Sequence, residues 1–312
     1  MQAYERLLKT VLSLKILFLE VFKINSKTRY IVFCVALACA LLLVDFGCTH
    51  DGVTTTAVVF QDAVQTGGTS GIADSTALIL TFDVDPTTLA VSDIMVTGAT
   101  KGSLSGTGTT RTLAIFNITV ANGATVSIAI SKSGFTITGS PQTAVVYRAL
   151  TIGMAYQGGI IAYILQYGDP GYLSGQTHGL IASTTDLSTG IQWYNNNYIA
   201  IGVTRTELGT GQSNTTAIVN RQGAGSYAAQ LCDDYTNEDN GTGIYSDWYL
   251  PSKDELNKLY LNKTAVGGFV NGYHWSSSEY DYIKVWLQGF ADGYQDPYAK
   301  YYLLKVRAVR TF

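Results

Sequence analysis

The 312-residue sequence predicts a mainly β protein in three parts: an N-terminal signal helix, an antiparallel β-sandwich and a terminal α+β domain. Three observations carry that expectation. An unbroken apolar run stands near the front. A threonine-rich middle alternates apolar and polar residues between turn signals, and the remainder gathers almost all the tyrosine and tryptophan around one strong helix signature. The averages serve mainly to exclude. With 46% hydrophobic and 14% charged residues the chain is not a disordered polymer, and four cysteines do not build a disulfide scaffold. A formal net charge of −3 excludes a strongly basic nucleic-acid binder.

Residues 1–48 read as an export segment. Six Lys or Arg residues lie within 1–30 against only Glu5 and Glu20, and residues 31–44 are fourteen apolar positions without a charge. That run is shorter than the ~18–20 residues of a membrane-spanning helix and matches a secretory apolar region behind a basic one. It ends at Asp45-Phe-Gly-Cys48, where a cysteine after glycine resembles the lipobox of bacterial lipoproteins, although Asp45 stands where that family usually has Leu. The resemblance implies lipidation of Cys48, attachment to a membrane through the lipid, and an outer-membrane surface location. Retention of the segment as an uncleaved anchor is the alternative. Removal of residues 1–47 leaves 14 basic and 20 acidic residues, a net charge of −6, so bulk attraction to polyanions is not expected.

Residues 53–148 predict the sandwich. The stretch 53–147 holds twenty threonines and five aromatics, with alternating runs at 57–60, 77–82, 94–97, 112–116, 125–130 and 144–147. Breakers such as Val84-Asp-Pro and Asn122-Gly separate them, and short β-branched strands at this spacing point to packed antiparallel sheets. Asp83, Asp85 and Asp93 are read as turn residues rather than metal ligands. The segment Leu80-Thr-Phe-Asp-Val-Asp-Pro-Thr-Thr-Leu89, leading into Ile94-Met-Val-Thr-Gly98, resembles bacterial Ig-like domains, which implies a spacer or interaction module.

Residues 151–312 predict the α+β domain, with 18 of the 21 tyrosines and all four tryptophans beyond residue 147. Strands are expected at 158–165, 179–182, 275–279, 284–290 and 303–309, and a helix around 226–235 that holds Cys232 as a small core residue. Pro251-Ser-Lys-Asp-Glu-Leu-Asn-Lys-Leu-Tyr260 is a capping box, Ser252 with Glu255, ahead of one apolar helix face. Trp193, Trp248, Trp275 and Trp286 are expected in the core. Arg307 and Arg310 are expected to pair with acids such as Glu279, and His178 and His274 to lie in loops or at the surface without zinc-ligand spacing. The acidic run at 233–241 does not fit a calcium loop and reads as a helix end and turn. No cofactor, metal or catalytic set is expected.

The order of motifs in this part resembles the Lcl C-terminal domain family: Gly158-Gly-Ile-Ile-Ala-Tyr-Ile164, Leu208-Gly-Thr-Gly-Gln-Ser-Asn-Thr215, Ala228-Ala-Gln-Leu-Cys232, Asp247-Trp-Tyr-Leu-Pro-Ser252, Trp275-Ser-Ser-Ser-Glu279 and Val306-Arg-Ala-Val-Arg310. The resemblance implies a fold like C-type lectins and formylglycine-generating enzymes, and a non-catalytic, adhesin-like module that binds a glycan or a polymer of a host or neighbouring cell. A structural role in envelope assembly and a carbohydrate-active enzyme are the alternatives. Formylglycine chemistry needs a cysteine pair, and this part has Cys232 alone. The residues themselves point to recognition in the stretch 279–302, where Tyr280, Asp281, Tyr282, Tyr294, Gln295, Asp296, Tyr298 and Tyr301 are the candidate ligand contacts, with Lys300 and Tyr302 among them. Tyrosine offers a rigid apolar plate with a polar tip, and Asp and Gln bond hydroxyl groups.

Overall fold

Burial with period two builds the first sheet, and one irregularity keeps it in phase. In β1 (Thr56–Thr66) the inward residues are Val58 and Phe60 and then Ala63. The step of three falls where the register against the next strand shifts, between Phe60 and Asp62. A bulge there restores the apolar residues to the inner face, which a plain strand would have turned outward. The computed structural model describes residues 55–238 and 243–312; the export segment and Cys48 lie outside the described residues.

The following strands are β2 (Ala77–Phe82), β3 (Ile94–Thr97), β4 (Thr100–Ser105), β5 (Thr110–Phe116), β6 (Thr125–Ile130), β7 (Phe135–Thr138) and β8 (Gln142–Val145). They form a five-stranded sheet, β4-β5-β2-β1-β7, and a three-stranded sheet, β3-β6-β8. Leu78, Leu80, Phe82, Leu113, Val126 and Ile128 fill the core they share, with Phe60 stacked on Phe82 at 5.3 Å. One pairing departs from expectation: β1 runs parallel to β7, so the sheets are not wholly antiparallel. Of the aspartates, Asp85 meets the buried Arg111 at 2.6 Å, and Asp83 accepts the backbone N–H of Val59. Asn122-Gly123 forms the expected turn, with Gly123 at φ +81°. The Asn122 carboxamide oxygen also accepts from the N–H groups of Gly71 and Arg148, which ties the turn to the exit from the last strand.

The rest of the chain packs around two further cores, and residues 56–312 together form one compact unit. Its elements begin with β9 (Ala155–Tyr156), β10 (Gly159–Ile164), β11 (Gly179–Ala182), β12 (Ser188–Ile191), α1 (Gly211–Gln222), α2 (Ala228–Asp233), β13 (Asn237–Glu238) and β14 (Ile244–Tyr245). They continue with α3 (Lys253–Leu261), α4 (Lys263–Val266), β15 (Tyr273–Glu279), β16 (Lys284–Gly289), β17 (Gln295–Ala299), β18 (Leu304–Val306) and β19 (Val309–Thr311). The sheets run β19-β11-β10-β9 and β12-β18-β15-β16-β17, beside a small β13-β14 pair. The strand expected at 303–309 is two strands in two sheets. It breaks at Arg307, whose side chain turns into the interior to reach Asp186.

Trp193, Trp248 and Trp275 are core residues as expected, and each indole N–H donates to a carbonyl: Ser276, Tyr245 and Ile191 respectively. Trp286 is only half-buried, with Lys253 4.0 Å above its ring. Cys232 is fully buried in α2, and burial pushes its thiol well above the ordinary range.

Candidate functional site

The exposed tyrosines stand on a scaffold held from below by buried charges. The capping box of α3 forms as expected, but Glu255 does more than cap its own helix. Its carboxylate accepts from Ser252 N–H at 2.8 Å and from Gly209 N–H at 2.9 Å, and it also bonds the backbone of Gly211, the first residue of α1. One buried carboxylate therefore occupies the positive ends of two helices at once. Burial nevertheless raises its pKa above the ordinary value, with these bonds acting in the opposite direction. A Cβ on Gly211 would stand 2.1 Å from the Glu255 carboxylate, so α1 must begin with glycine.

A buried ion pair lies directly under the predicted contact stretch. Lys300 is fully buried, and its ammonium donates to Glu279 at 2.5 Å, to the carbonyl of Tyr282 at 3.0 Å and to that of Ile199 at 3.3 Å. Glu279 in turn accepts the N–H groups of Ile201 and Gly202. Lys300 is thus an internal anchor and not a surface contact. Glu279 belongs to it, and not to Arg307 or Arg310 as the sequence suggested. Arg310 pairs with Asp247 at 2.6 Å. Arg307 reaches Asp186 at 3.2 Å and donates to the carbonyls of Gly267 and Gly268. His274 is not a surface residue either: it is fully buried, 3.1 Å from Asp186, with its ring on Phe290.

Small polar side chains complete the scaffold where β15 departs from regular pairing, between Trp275 and Glu279. Ser276 and Ser278 donate to the carbonyls of Trp286 and Arg205, and Asn214 of α1 donates to Ser277. The three serines satisfy a buried loop that larger residues would push away.

Above this scaffold the hairpin β16–β17 sorts the candidate residues by face. Val285 lies opposite Tyr298 and Leu287 opposite Asp296, whereas Trp286 lies opposite Pro297 and Gln288 opposite Gln295. Opposed residues share a face and neighbours alternate. Asp296 and Tyr298 therefore stand together, and with Tyr294 they line one open cleft of about 380 Å³, along with Tyr273, Leu287 and Asp292. Tyr298 stacks at 4.4 Å from Tyr302, and Tyr302 at 4.5 Å from Tyr301. Tyr301 interacts electrostatically with Tyr198, whose ring is 4.7 Å from that of Tyr194. The result is a cluster of three tyrosine rings, Tyr298, Tyr302 and Tyr301, with Tyr294 beside Tyr298 in the cleft and Tyr198 within electrostatic range of Tyr301.

Three of these hydroxyls are favoured in their protonated form. Tyr294 is held above the ordinary phenol range chiefly by the bond it donates to Asp296, Tyr298 chiefly by repulsion from Tyr302, and Tyr301 chiefly by its bond with Tyr302. A face of this kind presents flat rings for stacking and phenol O–H groups for hydrogen bonding.

Four of the candidate contacts, Tyr294, Asp296, Tyr298 and Tyr301, belong to that face; four do not. Gln295 turns to the other side and donates to Lys253 and Gln288, packing β17 onto α3. Asp281 accepts the N–H groups of Ile283 and Lys284 at 2.7 Å each, so it shapes a turn. Tyr282 is exposed in that turn, and its carbonyl helps hold Lys300. Tyr280 packs edge-on against Trp286 at 5.5 Å, on the side away from Tyr298. Tyr273, Asp292 and Tyr198 join the face without having been expected there. Tyr273 was detectable: it precedes Trp275 by two in a strand, and it pairs with Gly289, which has no side chain to fill the space. Among the described residues no group of three His, Cys, Asp or Glu side chains could hold a metal ion.

Residues 182–310 match the family model of the Lcl C-terminal domain, so the terminal part of the chain carries the domain that its motif string resembles. A fimbrial protein of Bacteroides ovatus ATCC 8483, of solved structure, aligns with a TM-score of 0.37 at 12% sequence identity, over 81% of this chain and 70% of that one. No curated protein matches the chain.

Proposed function

We propose that this is an exported, lipid-anchored surface protein that binds a glycan, or a similar hydroxyl-rich polymer of a host or neighbouring cell, through its tyrosine face. The observation that carries the reading is the exposed cluster of Tyr298, Tyr302 and Tyr301, with Tyr294 beside it in the cleft, over an interior pinned by Lys300 and Glu279. Aromatic faces that remain open while their backbone is fixed lose little entropy when a flat ring stacks on them. The site is an open cleft, and of the acids in this stretch Glu279 and Asp281 are committed to Lys300 and to a turn, which leaves Asp292 and Asp296 as the carboxylates of the cleft. On this reading residues 53–148 are an Ig-like spacer, and residues 151–312 a C-type-lectin-like domain.

A glycan array probed with the purified protein tests the binding. Tyr298→Ala is expected to weaken any hit by about 2 kcal/mol, roughly thirty-fold in affinity, without altering the far-ultraviolet circular dichroism. A blank array together with self-association would transfer the face to an assembly role. For the anchor, cells fed a radioactive fatty acid are expected to label the wild type and not Cys48→Ala. Equal labelling of both would remove the lipid from the account.

A further inference from the structure

The cleft at the end of the tyrosine cluster combines open aromatic rings with carboxylates and lacks a cation of its own. Six rings elsewhere in this part of the chain already carry a cation over their faces: Tyr163 under Lys258, Trp193 under Lys300, Tyr245 under Arg310, Tyr260 under Lys263, Phe269 under Arg307 and Trp286 under Lys253. Tyr273, Tyr294 and Tyr298 line the cleft together with two carboxylates, Asp292 and Asp296, and no Lys, Arg or His is among its lining residues. Neither carboxylate is in an ion pair among the described residues.

Both are oriented from within. Asp292 accepts the N–H of Tyr294 at 3.1 Å, and Asp296 accepts the Tyr294 hydroxyl. Gly289 keeps the floor open, since a Cβ there would come 2.7 Å from Asp292 and 3.3 Å from the Tyr273 ring. Ring faces carry negative quadrupole charge, and two carboxylates beside them make a seat for a cation that also bears apolar or stackable surface.

We propose that this cleft takes a protonated amine carried on a sugar ring, as in a glucosamine unit of a partly or wholly deacetylated polymer. The inference rests on the glycan-binding reading above and narrows it. A neutral sugar would satisfy the tyrosines and leave both carboxylates without a counter-charge. An acidic sugar would be repelled by them. An amino sugar stacks one face on Tyr298 or Tyr273 and places its ammonium between Asp292 and Asp296.

Isothermal titration of the protein with a glucosamine trisaccharide and with its fully N-acetylated counterpart separates the possibilities, at a pH where the amine is protonated. The free amine is expected to bind roughly tenfold more tightly, the scale of one exposed cation–ring contact with a nearby charge, and to weaken as salt is raised. Asp296→Asn and Asp292→Asn preserve shape and are each expected to erase most of that preference while binding of the acetylated trimer persists. Equal affinities, or a preference for the acetylated trimer, would overturn the amine inference and leave glycan binding standing. Failure of both trimers together with a blank array would overturn the binding reading itself, and with it the amine inference.

Discussion

Lys300→Met is expected to destabilise the protein by about 3–5 kcal/mol, the cost of leaving one member of a buried ion pair without its partner. The Lys300 side chain is fully buried and that of Glu279 is 2% exposed, so water does not replace the lost ammonium. Methionine fills the space of the lysine stem and remains over Trp193, where the ammonium now sits 4.7 Å from the ring centre. What is lost is the counter-charge of Glu279 and the donors to Tyr282 and Ile199. Burial lowers the Lys300 pKa, and Glu279 acts against that shift, as a paired but desolvated ammonium requires. The double variant Lys300→Met, Glu279→Gln removes both charges and is expected to recover more than half of the loss. Guanidinium unfolding measures both, with an unchanged denaturant slope as the sign that the native fold persists. A loss below about 1 kcal/mol, the range of a solvated surface pair, would show that the pair is wet.

The same substitution reaches the binding face. Lys300 sits in the chain between Tyr298 and Tyr301, and its backbone N–H donates to the carbonyl of Ile283. The stacking of Tyr298, Tyr302 and Tyr301 therefore depends on a buried charge whose partner lies 21 positions earlier. In sequence, lysine among tyrosine and aspartate reads as one more surface contact. Nothing local marks it as internal, because its burial is a property of Glu279 and of the loop at 199–202.

Local signals were readable to the extent that local physics determined the outcome. The Ser252–Glu255 box, the alternation of β2, β5 and β6 and the Asn122-Gly123 turn need only their own neighbours. Helix α1 is not legible in its own sequence, for the opposite reason. Its sequence, Gly-Gln-Ser-Asn-Thr-Thr-Ala-Ile-Val-Asn-Arg-Gln, is poor in strong helix formers, and its own N-cap residue, Thr210, makes no side-chain capping bond. Its first turn is completed by Glu255, 44 residues further on, and Asn214 is held by the carbonyl of Arg205. Within the site, Asp296 and Tyr298 share a face by simple alternation, which also places Gln295 on the other. That sorting follows from the alternation of a strand, which turns successive side chains to opposite faces. Tyr198 comes within electrostatic range of Tyr301 only through the tertiary fold.

Asp186→Ala is expected to cost a further 3–5 kcal/mol or so, acting on a different part of the same scaffold. Asp186 is only 6% exposed in its side chain, and one oxygen serves both His274 at 3.1 Å and Arg307 at 3.2 Å. Arg307 is fully buried, with its guanidinium 4.0 Å over Phe269, and burial lowers its pKa to about 10 against the opposing effect of Asp186. It keeps the carbonyls of Gly267 and Gly268 after the substitution, but these are dipoles and do not balance a full charge. Gly268 has φ +69°, and a Cβ there would come 2.2 Å from the carbonyl of Thr184, so this close approach cannot shift to compensate. His274 has no partner at Nδ1 among the described residues and would lose its contact at Nε2 as well. Asp186→Asn keeps an acceptor for His274 and Arg307 and loses the charge and the oxygen that accepts the Val270 N–H, so its cost is expected to be smaller than that of alanine. Arg307→Met in the Asp186→Ala background removes the unbalanced charge and is expected to restore part of the stability. Urea unfolding of the four proteins gives the coupling directly. If Asp186→Ala and Arg307→Met proved additive, the two residues would not form the internal pair on which β18 and β19 diverge.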